Sequence, residues 1–301
     1  MTGMADLVGD GIVRTDVVLG PLTTYKLGGA ARYFSEPPDL DTLIGVLGAA
    51  SDEGVPTAVL GRGSNMVIAD AGFDGLVIRL SSGFNEITHR PDSIQAGAAV
   101  SLPVLARSAV AEGRLGLEFY VGIPGSVGGA VRQNAGCHGT ETRDVLCTAT
   151  VVTSAGRVDN RDGEALELSY RHSNLKDDEV VVAAAFCFEE GAVDAGEAKM
   201  REVIRWRREH QPGGTLNAGS VFKNPPGDSA GRLIDSLGLK GMSVGGASVS
   251  TRHANFFVAE GNATAQDIFD LVRLVRTRVR SETGVDLSPE IRFVGFTGES
   301  P

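Results

Sequence analysis

The sequence predicts an α+β protein. Three observations carry this: a helix with apolar residues spaced by three and four, a series of short apolar segments broken by Gly, Asp and Ser, and a composition of 42% hydrophobic and 22% charged residues typical of a folded chain. Taken in order, Asp39 is an N-cap ahead of Leu40, Leu43, Ile44 and Leu47, and Gly54 ends that helix. Strands are expected at 31–35, 57–60, 66–69, 76–80 and 94–100, each bounded by turn residues. A short helix at 103–112 follows, with Pro103 in its first turn, where a missing N–H costs little. Strands at 145–153 and 180–188 come next, and the second is so apolar that it is expected at the centre of a sheet. An acidic stretch at 189–197 leads into a basic helix at 199–210, and Gln211-Pro212-Gly213-Gly214 marks the main domain boundary. The longest helix starts at Thr264 with Asp267 in the capping-box position. Ile268, Leu271, Val272, Val275 and Val279 share its apolar face, while Arg273, Arg276, Arg278 and Arg280 read as a solvated face.

A chain of 301 residues is about two domains long. With 28 Lys and Arg against 38 Asp and Glu, its net charge of −10 repels nucleic-acid backbones and anionic lipid, so neither partner is expected. No apolar run reaches the length of a membrane span, and residues 1–18 lack the pattern of a signal peptide. Cys137, Cys147 and Cys187 are odd in number and match no zinc spacing, which reads as reduced thiols in a cytoplasm and no metal site.

The strong bias is glycine, at 40 residues. One cluster is Gly61-Arg62-Gly63-Ser64-Asn65, and another is Gly122-Ile123-Pro124-Gly125-Ser126-Val127-Gly128-Gly129-Ala130. Neither is the strand–GxGxxG–helix of a Rossmann unit. Each is an ordinary turn when taken alone. Together they can present backbone N–H groups to a diphosphate, with Ser64, Asn65 and Ser126 adding side-chain donors. Thr24-Tyr25-Lys26-Leu27-Gly28 forms a third glycine-bearing entry. Tyr170-Arg171, Ser220 within NAGSVFKNP, and Glu290 within PEIR supply a cation, a hydroxyl and a carboxylate, each of which is singly more often a surface or turn residue.

The ordered set TTYKLGGAARYF, GRGSN, GIPGSVGGAVRQNAG, YRHS, NAGSVFKNP, LKGMSVGGASVS and LSPEIRFVG resembles the UDP-N-acetylenolpyruvoylglucosamine reductase family, in its shorter, loop-lacking class. The resemblance implies a flavin cradle of the vanillyl-alcohol-oxidase (PCMH) type, with lobes at 1–70 and 71–208, a substrate domain at 209–290, and a terminal strand within 291–301 returning to the first lobe. It implies non-covalent FAD, NADPH as reductant, and UDP-N-acetylglucosamine enolpyruvate as the substrate reduced for peptidoglycan synthesis, in a monomer or weak dimer. Thr24, Tyr25, Lys26, Gly28, Gly61, Arg62, Gly63, Ser64 and Asn65 would hold the cofactor, with Gly122, Ile123, Pro124, Gly125, Ser126, Gly128, Gly129 and Ala130. Arg171 and a protonated Glu290 would stabilise the enolate-like charge, and Ser220 would deliver the final proton. Tyr170, Arg208, Lys223, Asn224, His253 and His138 would contact the substrate.

His138 stands where the family commonly carries an aromatic residue, and Ser288 where it often carries a glutamate. A covalent flavin tether through Cys137 or His138 is the weaker reading, because the usual tether position holds Ser64-Asn65. The rival activity is an FAD oxidase or dehydrogenase of the same cradle acting on a sugar or alcohol.

Overall fold

The computed structural model describes residues 3–298 and 301. The ends of the domains expected at 1–70 and 291–301 include residues 1, 2, 299 and 300, which lie outside the described residues. Two compact units are present, one formed by 1–15, 33–61 and 75–207, the other by 16–32, 62–74 and 208–301. The chain leaves the first unit for the last time after Arg207, a few residues before the Pro212 break.

In the first unit a five-stranded antiparallel sheet runs in the order Val158–Arg161, Leu146–Val152, Val180–Phe186, Ile94–Gly97, Ile87–His89. The strand Val180–Phe186 is central, as its apolar composition predicts. The helix Leu102–Ala111 buries Leu102, Leu105, Ala106, Ala109 and Val110 in the same core as Ile94, Ala96, Val151 and Phe186. A separate cluster gathers Leu43, Val46, Leu47 and Ala50 of the helix Leu40–Asp52 with Leu76, Ile78, Val152 and Val180. Asp39 caps that helix, its carboxylate accepting from the Thr42 N–H at 2.8 Å.

The acidic lead-in expected at 189–197 is itself structured. Glu189–Glu190 pairs with Arg114–Leu115, and the helix begins at Val193 and runs to His210. Asp194 suits the first turn, where the helix dipole favours negative charge, and Gly196, Met200 and Val203 make a buried stripe at helical spacing.

In the second unit the helix Ala265–Thr283 buries the five apolar residues that its periodicity singles out. They share a core with the sheet Ser243–Val244, Ala247–Val249, Phe257–Ala259. Thr264 and Asp267 form the reciprocal cap, and Asp70 accepts from the N–H groups of Ala265 and Gln266 at 3.0 and 2.9 Å. The strand Arg292–Val294 pairs in parallel with Met66–Ile68.

The reading of three reduced thiols is corrected: Cys147 and Cys187 form a disulfide. The antiparallel pairing of Leu146–Val152 with Val180–Phe186 shifts register between Leu146 and Thr148, which leaves Cys147 beside Cys187 with Cα atoms 5.6 Å apart. A separation of 40 residues hides that proximity in the sequence. Among the described residues no helix is long and apolar enough to cross a membrane.

Candidate active site

The first glycine cluster is open on its donor side. The amides of Gly61, Arg62, Gly63 and Ser64 make no hydrogen bond to another group among the described residues, and Gly61 and Arg62 are exposed. Gly63 has φ +63, and a Cβ there would lie 2.5 Å from the Leu22 carbonyl oxygen, so only glycine fits. Its carbonyl accepts from both the N–H and the hydroxyl of Thr24, at 3.1 and 3.2 Å, which braces the loop. Four successive unspent backbone donors suit a diphosphate, so these residues fit FAD.

The second cluster is built differently, which narrows the expectation placed on it. The N–H groups of Ile123, Gly125, Val127 and Gly128 are spent on the carbonyls of Tyr120, Ile123, Val100 and Ala98. Pro124 has no N–H to offer. These residues shape the loop rather than supply donors. Ser126 caps the helix Val127–Gln133, accepting from the Gly129 N–H at 3.4 Å. A Cβ on Gly61 would sit 2.8 Å from the Ser126 hydroxyl, so within the first unit this loop abuts the first residue of the GRGSN loop.

Arg171 lies in a two-residue turn closed by Ser169 and His172, and its φ of +52 is a conformation that side chains other than glycine rarely adopt. The guanidinium donates to the Gly136 carbonyl at 2.9 Å, approaches the Glu141 carboxylate at 3.7 Å and lies over the Tyr170 ring at 5.0 Å. Nearby, the Cys137 thiol donates to the Phe119 carbonyl at 3.2 Å, and burial pushes its pKa up to about 11. His138 is exposed at φ +54, its ring edge-on to Trp206.

In the second unit, Ser220 and Glu290 are on neighbouring segments. Val221, next to Ser220, accepts the Glu290 N–H at 2.7 Å, Phe222 bridges to Pro289, and the Lys223 N–H donates to Ser288 at 2.9 Å. The Asn65 side chain donates to the Glu290 carbonyl at 3.1 Å, and the Asn65 carbonyl accepts the Arg292 N–H at 2.9 Å. The end of the GRGSN loop therefore touches the backbone of the candidate acid. Asn255, which the sequence reading missed, is buried and clasps both sides of one residue: its amide oxygen accepts the Phe222 N–H at 2.9 Å and its NH₂ donates to the Phe222 carbonyl at 2.8 Å.

Several expected contacts have other work. Tyr25 is fully buried in the second unit's core, its hydroxyl donating to the Phe257 carbonyl at 3.0 Å, and burial raises its pKa strongly. Its bulk and single polar tip suit a core position rather than a cofactor contact. The Lys26 ammonium donates to the Pro21 carbonyl at 2.7 Å, and Gly28 lets the segment ahead of the strand Ala30–Ser35 pass close over Ile68. The Asn224 side-chain oxygen accepts the Ala230 N–H at 3.1 Å, at the start of the helix Ala230–Ser236. His253 is half-buried against Phe256, its Nδ1 accepting the Asn255 N–H at 3.2 Å, and desolvation lowers its pKa. Arg208 is exposed, whereas the half-buried Arg207 donates to the Gly122 carbonyl at 2.6 Å and reaches the glycine loop itself.

The chain has close counterparts among known proteins. A model of the UDP-N-acetylenolpyruvoylglucosamine reductase C-terminal domain matches residues 211–294, and one described as an FAD binding domain matches 31–160. The chain is 44% identical over 286 residues to the UDP-N-acetylenolpyruvoylglucosamine reductase of Acidiphilium cryptum, covering 95% of this chain and 92% of that relative. With the protein of the same name from Caulobacter vibrioides it shares 42% identity over 292 residues, 96% of each. The crystal structure of the Thermus caldophilus reductase superposes with a TM-score of 0.81 at 37% identity, over 94% of this chain and 99% of that one.

Proposed function

This chain belongs to the UDP-N-acetylenolpyruvoylglucosamine reductase family, and from that premise we propose how its residues divide the work. It is an FAD-dependent oxidoreductase that reduces the enolpyruvyl ether of UDP-N-acetylglucosamine enolpyruvate to UDP-N-acetylmuramate, a step of peptidoglycan synthesis. Our reading takes NADPH as the electron source, used alternately with the sugar nucleotide. Both reactants are multiply charged phosphates that do not cross membranes unaided, which supports a cytoplasmic reaction.

Bound FAD supplies the hydride. The open amides of residues 61–64 would hold its diphosphate, with Thr24 bracing the loop. Hydride arrival at the methylene carbon places negative charge on the adjacent carbon and its carboxylate. Arg171 stabilises that charge, in a pose already fixed before substrate binds, which is where electrostatic catalysis gains most. Glu290 in its protonated form donates a hydrogen bond to the same developing charge, and Ser220 delivers the proton to the α-carbon. A hydroxyl is a weak acid, yet protonating a carbanion is strongly downhill, so its placement matters more than its acidity.

The observation that carries this reading is the clasp of the Ser220 segment to the Glu290 segment, with Asn65 of the glycine loop bonded to the Glu290 carbonyl. A Ser220→Ala protein tests it. Flavin content and reduction by NADPH stay at wild-type levels, while reoxidation by the enolpyruvyl substrate falls by at least a hundredfold. Wild-type reoxidation in that variant would remove Ser220 from the mechanism.

A further inference from the structure

A short hairpin supplies Arg171 with two of its contacts, and its composition suggests a purpose. Gly136 and Glu141 face each other across the antiparallel pair Gly136–Cys137 and Thr140–Glu141. The Gly136 carbonyl accepts from one guanidinium nitrogen of Arg171 at 2.9 Å, and the Glu141 carboxylate lies 3.7 Å from another. Both side chains of that ion pair are largely shielded, each 17% exposed, so their attraction is screened far less than at an open surface.

Glu141 is itself fixed from behind. Asn134, fully buried and left-handed at φ +42, donates to the second Glu141 oxygen at 3.0 Å and to the Ser169 carbonyl at 2.9 Å. Its side-chain oxygen accepts the Arg143 N–H at 2.9 Å. One amide therefore ties the carboxylate to the base of the turn that carries Arg171. The half-exposed Arg143 guanidinium adds a 3.0 Å contact to the same Glu141 oxygen, leaving the other oxygen to Arg171. A Cβ on Gly136 would lie 2.8 Å from the Glu141 Cγ and 2.5 Å from the Thr140 carbonyl, so glycine is what allows carbonyl and carboxylate to reach one guanidinium together.

We propose that Glu141, aligned by Asn134 and paired across the hairpin with Gly136, is the positioning residue that sets the orientation of Arg171 for the reduction. The proposal rests on the reading of Arg171 as the cation that stabilises the developing charge. A neutral Glu141 removes the ionic part of that hold while the Gly136 carbonyl contact stays. A displacement of about 1 Å at such a group costs on the order of a hundredfold in rate.

The test compares Glu141→Gln, Arg171→Lys and the double variant as FAD-loaded enzymes, following flavin reduction by NADPH and flavin reoxidation by the enolpyruvyl substrate separately. Glu141→Gln is expected to keep flavin content, melting temperature and the NADPH half-reaction, and to slow reoxidation by tenfold or more. In the Arg171→Lys background the same change is expected to add less than twofold, because its effect runs through Arg171. Gly136→Ala, which pushes Glu141 aside, is expected to reproduce the selective loss. Equal slowing of both half-reactions by Glu141→Gln, or its full effect in the Arg171→Lys background, would overturn the proposal in favour of a merely structural carboxylate. Slow reoxidation in Arg171→Lys with wild-type reoxidation in Glu141→Gln would overturn the proposal alone. Wild-type reoxidation in Arg171→Lys would overturn the reading of Arg171 beneath it.

Discussion

Replacing Asn255 with alanine should damage both the stability of the second unit and the second half of the reaction. The Asn255 side chain makes two hydrogen bonds to the Phe222 backbone, at 2.9 and 2.8 Å, and both residues are buried. Alanine leaves a buried N–H and a buried C=O unpaired, at about 1–3 kcal/mol each, so about 3 kcal/mol is expected once partial relaxation is allowed. Phe222 lies two residues from Ser220, and its neighbour Val221 holds the Glu290 N–H, so loosening the clasp moves the proposed proton donor. Urea unfolding reads the stability loss as a lower midpoint, and stopped-flow mixing reads the two flavin half-reactions. The predicted pattern is a destabilisation of about 3 kcal/mol, with reoxidation by substrate slowed more than reduction by NADPH. A change within about 0.5 kcal/mol, the range of an ordinary surface substitution, together with unchanged half-reactions would refute the reasoning.

Further outcomes follow from the same geometry. Replacing Cys147 and Cys187 by serine, or reducing the purified protein, is expected to lower the unfolding free energy by about 4 kcal/mol, the loop-closure value for a separation of 40 residues; identical urea curves with and without reductant would count against the disulfide. Cys137, with its pKa pushed up to about 11, should react with a thiol reagent at pH 8 about a hundredfold more slowly than an ordinary cysteine, as colorimetric titration of the oxidised protein can show. His253 carries a folded-state pKa below its ordinary 6.5 because burial disfavours the imidazolium, so the unfolded chain binds more protons as pH falls. Its contribution is complete above about pH 6.5 and is lost as pH falls through the folded value. A His253→Gln protein should lose that part of the acid sensitivity; an unchanged stability profile between pH 7 and 5 would contradict the assignment.

Local chemistry made much of this legible in the sequence. The caps at Asp39 and Thr264 and the buried face of the longest helix are written in residues three or four apart, and the central strand in an unbroken apolar run. What depends on distant residues was hidden. The Cys147–Cys187 bond needs a register shift in a sheet, and the first turns of the helix from Val193 place Gly196 close against Val110 and Leu115, where a Cβ would crowd both. The resemblance implies a cofactor contact for Tyr25, yet its aromatic bulk is drawn into a core built mostly from residues beyond 217. The roles of Asn134, Glu141 and Asn255 were not legible, since a buried amide or carboxylate shows its role only through its partners. The NAG and HANF segments that contain the two asparagines were the available hints.

In the proposed reaction electrons pass from NADPH through bound flavin to the enolpyruvyl ether without oxygen. The direct test reduces the yellow protein anaerobically with one equivalent of NADPH, adds UDP-N-acetylglucosamine enolpyruvate, and follows the flavin absorbance. The oxidised spectrum is expected to recover, with an equal amount of UDP-N-acetylmuramate formed. A flavin that stays reduced until air is admitted would contradict it and point to an oxidase built on the same cradle.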